Sequence, residues 1–214
     1  MDDLLKKTIS TYNSTAADYA EKTDKLLPRE RLNEFINYMG RSFGQVMDLG
    51  CGPGRDARYL DSKGFQVIGV DLSSELLNIA KKRVPKGLFY NLDISGPLST
   101  DWMEKFEGVW ASASLVHVPL ERLSSSIGQV RDVLVPDGIF YAKVMEGDCS
   151  EIRVSKRYGS TSENGEKFWQ YFSEDTFTKT LLCTGFDLLK VYRLNNEFSL
   201  EHPWMEFFAR KKSM

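Results

Sequence analysis

The stretch Val46-Met47-Asp48-Leu49-Gly50-Cys51-Gly52-Pro53-Gly54-Arg55-Asp56 is an apolar strand that runs into three alternating glycines and then into a helix. Glycine at such positions lets the backbone turn tightly and lets a ligand lie against it with no Cβ in the way. Twenty-one positions beyond Gly50 comes Asp71, which closes a second apolar run, Val67-Ile68-Gly69-Val70. A carboxylate there can accept both hydroxyls of a ribose, the arrangement by which doubly wound sheets hold nucleosides. Strand, glycine loop, helix, strand and acid form one unit, and as a set they are far more specific than a lone glycine pattern.

The rest of the chain repeats the alternation of short β-rich runs with helical stretches, which predicts a parallel α/β sheet. Strands are expected at Gln45–Leu49, Gln66–Asp71, Gly87–Leu92, Gly108–Ala113, Gly138–Val144, Phe186–Leu194 and Trp204–Arg210. Pro28 and Gly40 bracket one helix, Ser73 and Pro85 a second, and Pro119 and the Pro136-Asp137-Gly138 turn a third; Ser173 and Gly185 bracket a fourth. At 214 residues the chain suits one domain, 1–214. Two segments break the alternation. Residues 1–40 begin with a polar stretch carrying Tyr12 and Tyr19 and read as an N-terminal helical cover. Residues 146–172 form a long charged and aromatic connection, a candidate substrate lid with Phe168-Trp169-Gln170-Tyr171-Phe172 as its walls.

Details of the glycine loop select among nucleoside ligands. A dinucleotide fingerprint requires G-x-G-x-x-G, and Arg55 stands where its last glycine would fall, so a nicotinamide dinucleotide is disfavoured. No Gly-Lys-Ser/Thr follows to hold a triphosphate with magnesium. Asp48, just before the glycines, would repel phosphates and suits a cationic or zwitterionic ligand.

On these residues the chain resembles the class I, Rossmann-like S-adenosylmethionine-dependent methyltransferases, in the group with the methyltransferase type 11 or 25 domain. The resemblance runs from about Tyr12 to Lys211. It implies a three-layer sandwich around a seven-stranded, mostly parallel sheet of order 3-2-1-4-5-7-6 with the last strand antiparallel. Asp48-Leu49-Gly50-Cys51-Gly52-Pro53-Gly54, with Arg55 after it, is similar to the family's first motif, whose backbone cradles the methionine part while the acid organises its ammonium. Val70-Asp71-Leu72-Ser73 resembles the second motif and implies Asp71 on the ribose hydroxyls and Leu72 against adenine. Asn91-Leu92-Asp93-Ile94 resembles the third, which gives Asp93 and Ile94 the adenine side. Trp110 to Pro119 resembles the fourth, with Ser112 and Ala113 under the methionine and His117 near the reaction chamber. Tyr19 inherits a contact from the family's closing helix. Leu134-Val135-Pro136-Asp137-Gly138 departs from the family's Leu-x-Pro-Gly-Gly turn by an aspartate.

The implied reaction is methyl transfer to a small-molecule acceptor by in-line displacement, which alignment and exclusion of water accelerate. His117 is the candidate base for an acceptor that must lose a proton. Its alternative role is packing in the pocket wall; Asp71 could instead cap the following helix, and Cys51 suits the loop as a small, unreactive side chain. Methylation of RNA or protein is the competing activity, and Ala111-Ser112-Ala113-Ser114 stands where the base- and glutamine-methylating branches carry N-P-P-Y/F or D-P-P-Y. A non-catalytic cofactor-binding subunit is the alternative from another class. The formal charge of -2 gives no basic excess for nucleic acid. The run Gly108–Leu120 is too short for a membrane span, and Met1-Asp2-Asp3 is unlike a signal peptide. Three cysteines without paired spacing suggest a reducing cytoplasm, and His117 and His202 offer no metal ligand set. A monomer or a homodimer is expected.

Overall fold

The computed structural model describes residues 3–154, 165–194 and 203–213. Strand β1, Gln45–Leu49, lies at the centre with parallel neighbours β2, Gln66–Asp71, and β4, Phe106–Ser112; β3, Leu88–Asn91, flanks β2. On the other side β5, Leu134–Glu146, pairs parallel with β4. The C-terminal strand β9, Trp204–Lys211, inserts antiparallel between β5 and β8, Phe186–Leu194. The expected order and the reversed last strand are therefore present once the strands are numbered for two additional ones. These two are β6, Ser150–Val154, and β7, Glu166–Phe172, an antiparallel pair whose end continues the sheet where Tyr171 and Phe172 lie parallel to Met145 and Glu146. The expectation of an irregular connection over 146–172 is corrected to this extent. Residues 155–164, with Lys156, Arg157 and Glu163, lie outside those described, as does His202.

Each parallel strand carries apolar side chains on both faces, as a sheet covered on two sides requires. In β4, Val109 and Ala111 face the layer of α6, Leu120–Val133, and α7, Glu174–Cys183, while Trp110 faces α3, Arg29–Met39, and α4, Arg55–Ser62. Trp110 stacks on Tyr141 with ring centroids 3.7 Å apart and donates its indole N–H to Asp56 at 2.9 Å. Helix ends follow the sequence signals. Gly40 closes α3 in the left-handed conformation at φ 64°. Ser73 caps α5, Ser74–Arg83, and Ser173 caps α7, each hydroxyl accepting a backbone N–H from the first turn. Replacing Ser173 with alanine is expected to cost about 1 kcal/mol, read as a lower urea midpoint with an unchanged slope.

The polar N-terminal stretch is helical: α1 spans Asp3–Ser14 and α2 spans Ala16–Asp24. Two ties fix α1 across the ends of the sheet. On one side Thr11 donates its hydroxyl to the Glu166 carbonyl at 2.8 Å, and the Phe168 N–H donates to Thr8 Oγ1 at 3.0 Å. On the other, Asn13 Oδ1 accepts from the Ser73 hydroxyl at 2.7 Å.

Candidate active site

After β1 the chain passes into α4 on one layer, and after β4 into α6 on the other, so a crevice opens at the carboxyl ends of these strands. That is where open α/β sheets bind ligands. With α1 laid across it, the crevice becomes a half-enclosed chamber, the kind of concave site in which small molecules are held.

The glycine loop forms its floor. Gly50 and Cys51 both donate their backbone N–H groups to the Val70 carbonyl, at 2.8 and 3.0 Å, which ties the loop to β2. Gly50 has φ 77° and lies so close to the turn after β4 that a Cβ on it would be 2.2 Å from Ser114 Cβ. Gly52 has φ 51°, and its N–H donates to Asp71 Oδ2 at 2.9 Å. Asp71 Oδ1 accepts from the Ser73 N–H at 2.8 Å. Asp71 thus supports the helix cap without being the cap, and each of its oxygens keeps a second lone pair for a ligand. Burial pushes its carboxyl above the usual range, with the N–H groups of Ser73 and Gly52 opposing that rise.

Of the residues singled out in the sequence, Tyr19, Gly50, Gly52, Asp71 and Leu72 line the cavity. Asp93, Ile94, Ser112, Ala113 and His117 line it as well. Four do not, and each has a packing reason. Cys51 turns its sulfur under the sheet, 2.9 Å from where a Cβ on Gly69 would stand, and burial pushes its thiol well above the ordinary value. Gly54 meets Ala80, which a Cβ would approach to 3.0 Å, so it sets the spacing of α4 and α5. Arg55 grips Asp56 through Nε at 2.6 Å and Nη2 at 2.9 Å. Asp48 is 2% exposed behind the loop, its Oδ2 has no hydrogen-bond partner, and burial with the nearby Asp56 raises its carboxyl well above the ordinary range.

Sequence reasoning named Tyr12 but not the other inward residues of α1, and passed over Ser114 in the turn after β4. Leu5, Thr8, Ile9 and Tyr12 all line the cavity. Their spacing of three, four and seven places one face of a helix there, and that periodicity was the available signal. Ser114 also lines the cavity; it is 6% exposed and its hydroxyl has no hydrogen-bond partner.

At the β4 end, His117 is held from both sides. Its Nδ1 lies 2.6 Å from the Phe168 carbonyl, which fixes the proton there, and Nε2 accepts from the Tyr12 hydroxyl at 2.9 Å. Trp169 packs its ring 4.9 Å from the imidazole. Lys167, 1% exposed, sets its ammonium 3.7 Å from the Tyr12 ring centroid and 5.4 Å from that of Tyr19. Burial draws its pKa down to about 8. Burial also brings the His117 imidazole down to about 4, with the Lys167 charge acting in the same direction and the Phe168 carbonyl against it. In an unfolded chain this imidazole takes up a proton near its ordinary 6.5. The unfolded state therefore gains protons first as pH falls, and stability present above pH 6.5 declines from there toward pH 4. Urea unfolding at pH 7.5 and 5.0 is expected to show this loss in the wild type and a shallower one in His117→Gln.

The cavity fits S-adenosylmethionine, the ligand that the sequence resemblance implies. Gly52 leaves open space along the chamber, where the nearest neighbour of a Cβ would be a Tyr19 ring carbon at 3.8 Å, a carboxylate faces the chamber from the end of β2, and an unpartnered hydroxyl stands between the loop and β4. Among the described residues no group of three His, Cys, Asp or Glu side chains could hold a metal ion, and no helix is long and apolar enough to cross a membrane.

Residues 46–138 match the family described as a methyltransferase domain. A malonyl-[acyl-carrier protein] O-methyltransferase of Enterobacter lignolyticus is 24% identical over 165 residues, 76% of this chain and 64% of that protein. The chain thus spans less than two thirds of the length of this curated relative. Among solved structures, the 1,6-didemethyltoxoflavin-N1-methyltransferase of Burkholderia thailandensis, with bound S-adenosylhomocysteine, superposes with a TM-score of 0.75 at 21% identity, covering 98% of this chain and 89% of its own. The magnesium protoporphyrin IX methyltransferase of Synechocystis, with bound S-adenosylmethionine, gives 0.70 at 18% identity over 99% and 98%. Residues 46–138 thus carry a methyltransferase domain, set in the fold of S-adenosylmethionine-dependent methyltransferases.

Proposed function

We propose that this chain transfers a methyl group from S-adenosylmethionine to a small-molecule acceptor by in-line displacement. The observation that carries the reading is the chamber that α1 closes over the glycine loop, with Asp71 on one side of it and His117 on the other. When bound, S-adenosylmethionine supplies an electrophilic methyl group on a sulfonium. Gly50 and Gly52 hold its amino-acid part through the backbone, Asp71 its ribose, and Leu72, Asp93 and Ile94 its base. Ser112, Ala113 and Tyr19 flank the sulfur end. Helix α1 excludes water, and alignment in a dry chamber is what such a displacement needs. His117 stands at the acceptor end.

A small acceptor is supported by the cover that α1 lays over the chamber and by a net charge of -2, which offers nucleic acid no general attraction. We assign the described residues to one domain in which α1 and α2 belong to the cover and β7 is bound to it through Thr8 and Thr11. A reducing compartment such as the cytoplasm suits Cys149 and Cys183, which are exposed and unpaired. The test is calorimetry with S-adenosylhomocysteine followed by methyl transfer from labelled cofactor to a metabolite extract. Binding with label in a small product is expected. Binding with label only in RNA or protein would replace the small acceptor, and binding with no label transferred would make the chain a non-catalytic subunit.

A further inference from the structure

Tyr12 and His117 both line the chamber, and the hydrogen bond between them has a fixed direction. The Phe168 carbonyl, 2.6 Å from Nδ1, can only accept, so Nδ1 carries the imidazole proton and Nε2 carries the lone pair. The Tyr12 hydroxyl, 2.9 Å from Nε2, therefore gives its hydrogen to His117 and has its oxygen lone pairs to offer a ligand. His117 in turn has no open lone pair for a substrate proton, and burial holds its imidazole at about 4, which makes it a weak base. Among the described residues, the charged side chains that line the chamber are the carboxylates Asp71 and Asp93, with no lysine or arginine beside them. An anionic acceptor would meet carboxylates without a side-chain cation, and an alcohol or an alkylammonium would find no strong base for its proton. Leu5, Ile9 and Val118 add apolar wall.

We propose that the acceptor atom is the nitrogen of a neutral, weakly basic amine on an apolar or aromatic body, with its N–H donated to the Tyr12 oxygen. This rests on the methyltransferase reading and narrows it to nitrogen. In the step, the nitrogen lone pair forms the new N–C bond as the S–C bond breaks. The S–C electron pair stays on sulfur, which becomes a neutral thioether, and the positive charge passes to nitrogen. The nitrogen keeps its hydrogens through the step, so no base is needed, and the methylated ammonium loses its proton to water after release. An N–H on a nitrogen that is gaining positive charge is a stronger donor, so its bond to Tyr12 tightens on the way to the transition state, the differential binding that accelerates a reaction. His117 acts through Tyr12 as a positioning residue, because it fixes where the hydroxyl hydrogen points.

The full chain is incubated with a metabolite extract and S-adenosylmethionine isotope-labelled at the methyl carbon, and the carbon NMR shift of the product separates N-methyl from O-methyl. An N-methyl product is expected, and an O-methyl product in its place would overturn the nitrogen assignment. The chain saturated with S-adenosylhomocysteine is then titrated with 4-methylaniline and with benzoate. Binding of the amine and not of benzoate is expected, weakened about threefold to tenfold in Tyr12→Phe. In His117→Leu the Tyr12 hydroxyl is free to turn its hydrogen toward the chamber, so amine binding should fall by a similar factor while benzoate binding appears, a reversal that lost packing alone would not produce. Thermal unfolding of both variants shows whether each is folded. Amine affinity unchanged in both folded variants, or a wild type that prefers benzoate, would also overturn the assignment while leaving cofactor binding in place. If S-adenosylhomocysteine itself fails to bind the wild type, it is the methyltransferase reading that falls.

Discussion

Replacing Asp71 with alanine is expected to lower the affinity for S-adenosylhomocysteine by at least about 100-fold, or about 2.7 kcal/mol, with the protein still folded. Two losses combine. The carboxylate that faces the chamber disappears, and with it the ribose contact assigned to it. The Gly52 and Ser73 N–H groups, which it holds at 2.9 and 2.8 Å, also lose their acceptor, so the loop that cradles the ligand keeps only its Gly50 and Cys51 bonds to Val70 as ties to the end of β2. Asp71→Asn separates the two. Its amide oxygen can accept one of those N–H groups, but its NH₂ confronts the other donor, so affinity is expected to fall between wild type and alanine. Calorimetric titration of the three proteins measures this, and alanine binding within threefold of wild type would remove Asp71 from the ligand.

The sheet was legible because its strands are short apolar runs separated by helices with recognisable ends, and the seven expected strands all have counterparts. The site was legible where a motif residue faces the ligand and misleading where it faces the protein. A loop that turns through Gly50, Cys51, Gly52 and Gly54 presents its residues to different sides. Gly50 and Gly52 open onto the chamber, while Cys51 and Gly54 meet β2 and α5. Sequence spacing shows the turn and does not show which residues point inward. The pair β6 and β7 was hidden for another reason: Glu151, Arg153, Glu166 and Lys167 interrupt the apolar pattern, and Lys167 is buried against tyrosines from the other end of the chain. No local signal marks a cation whose partners lie so far away in sequence. A helical cover over residues 1–40 was expected, but the inward face of α1, with Leu5, Thr8, Ile9 and Tyr12, was not, because Thr8 and Thr11, which bond across to β7, make that side look polar.

Gly50→Ala is expected to be the more severe change, abolishing measurable S-adenosylhomocysteine binding and lowering stability by several kcal/mol. A side chain at φ 77° costs about 1–2 kcal/mol from backbone sterics alone. The added methyl group must also occupy a point 2.2 Å from Ser114 Cβ. The loop cannot yield cheaply, because its movement breaks the hydrogen bonds from Gly50 and Cys51 to Val70. Gly52→Ala isolates the backbone contribution: its nearest neighbour would be a Tyr19 ring carbon at 3.8 Å, so stability should fall only modestly while the ligand-facing surface still gains a methyl group. Adding Ser114→Gly to Gly50→Ala removes the clashing carbon and leaves the φ cost, so the double variant should regain part of the lost stability and remain below wild type. Urea unfolding of the four proteins tests this ordering. A Gly50→Ala variant no less stable than Gly52→Ala would mean that the loop and the β4 turn are not in contact, and the chamber they enclose would have to be redrawn.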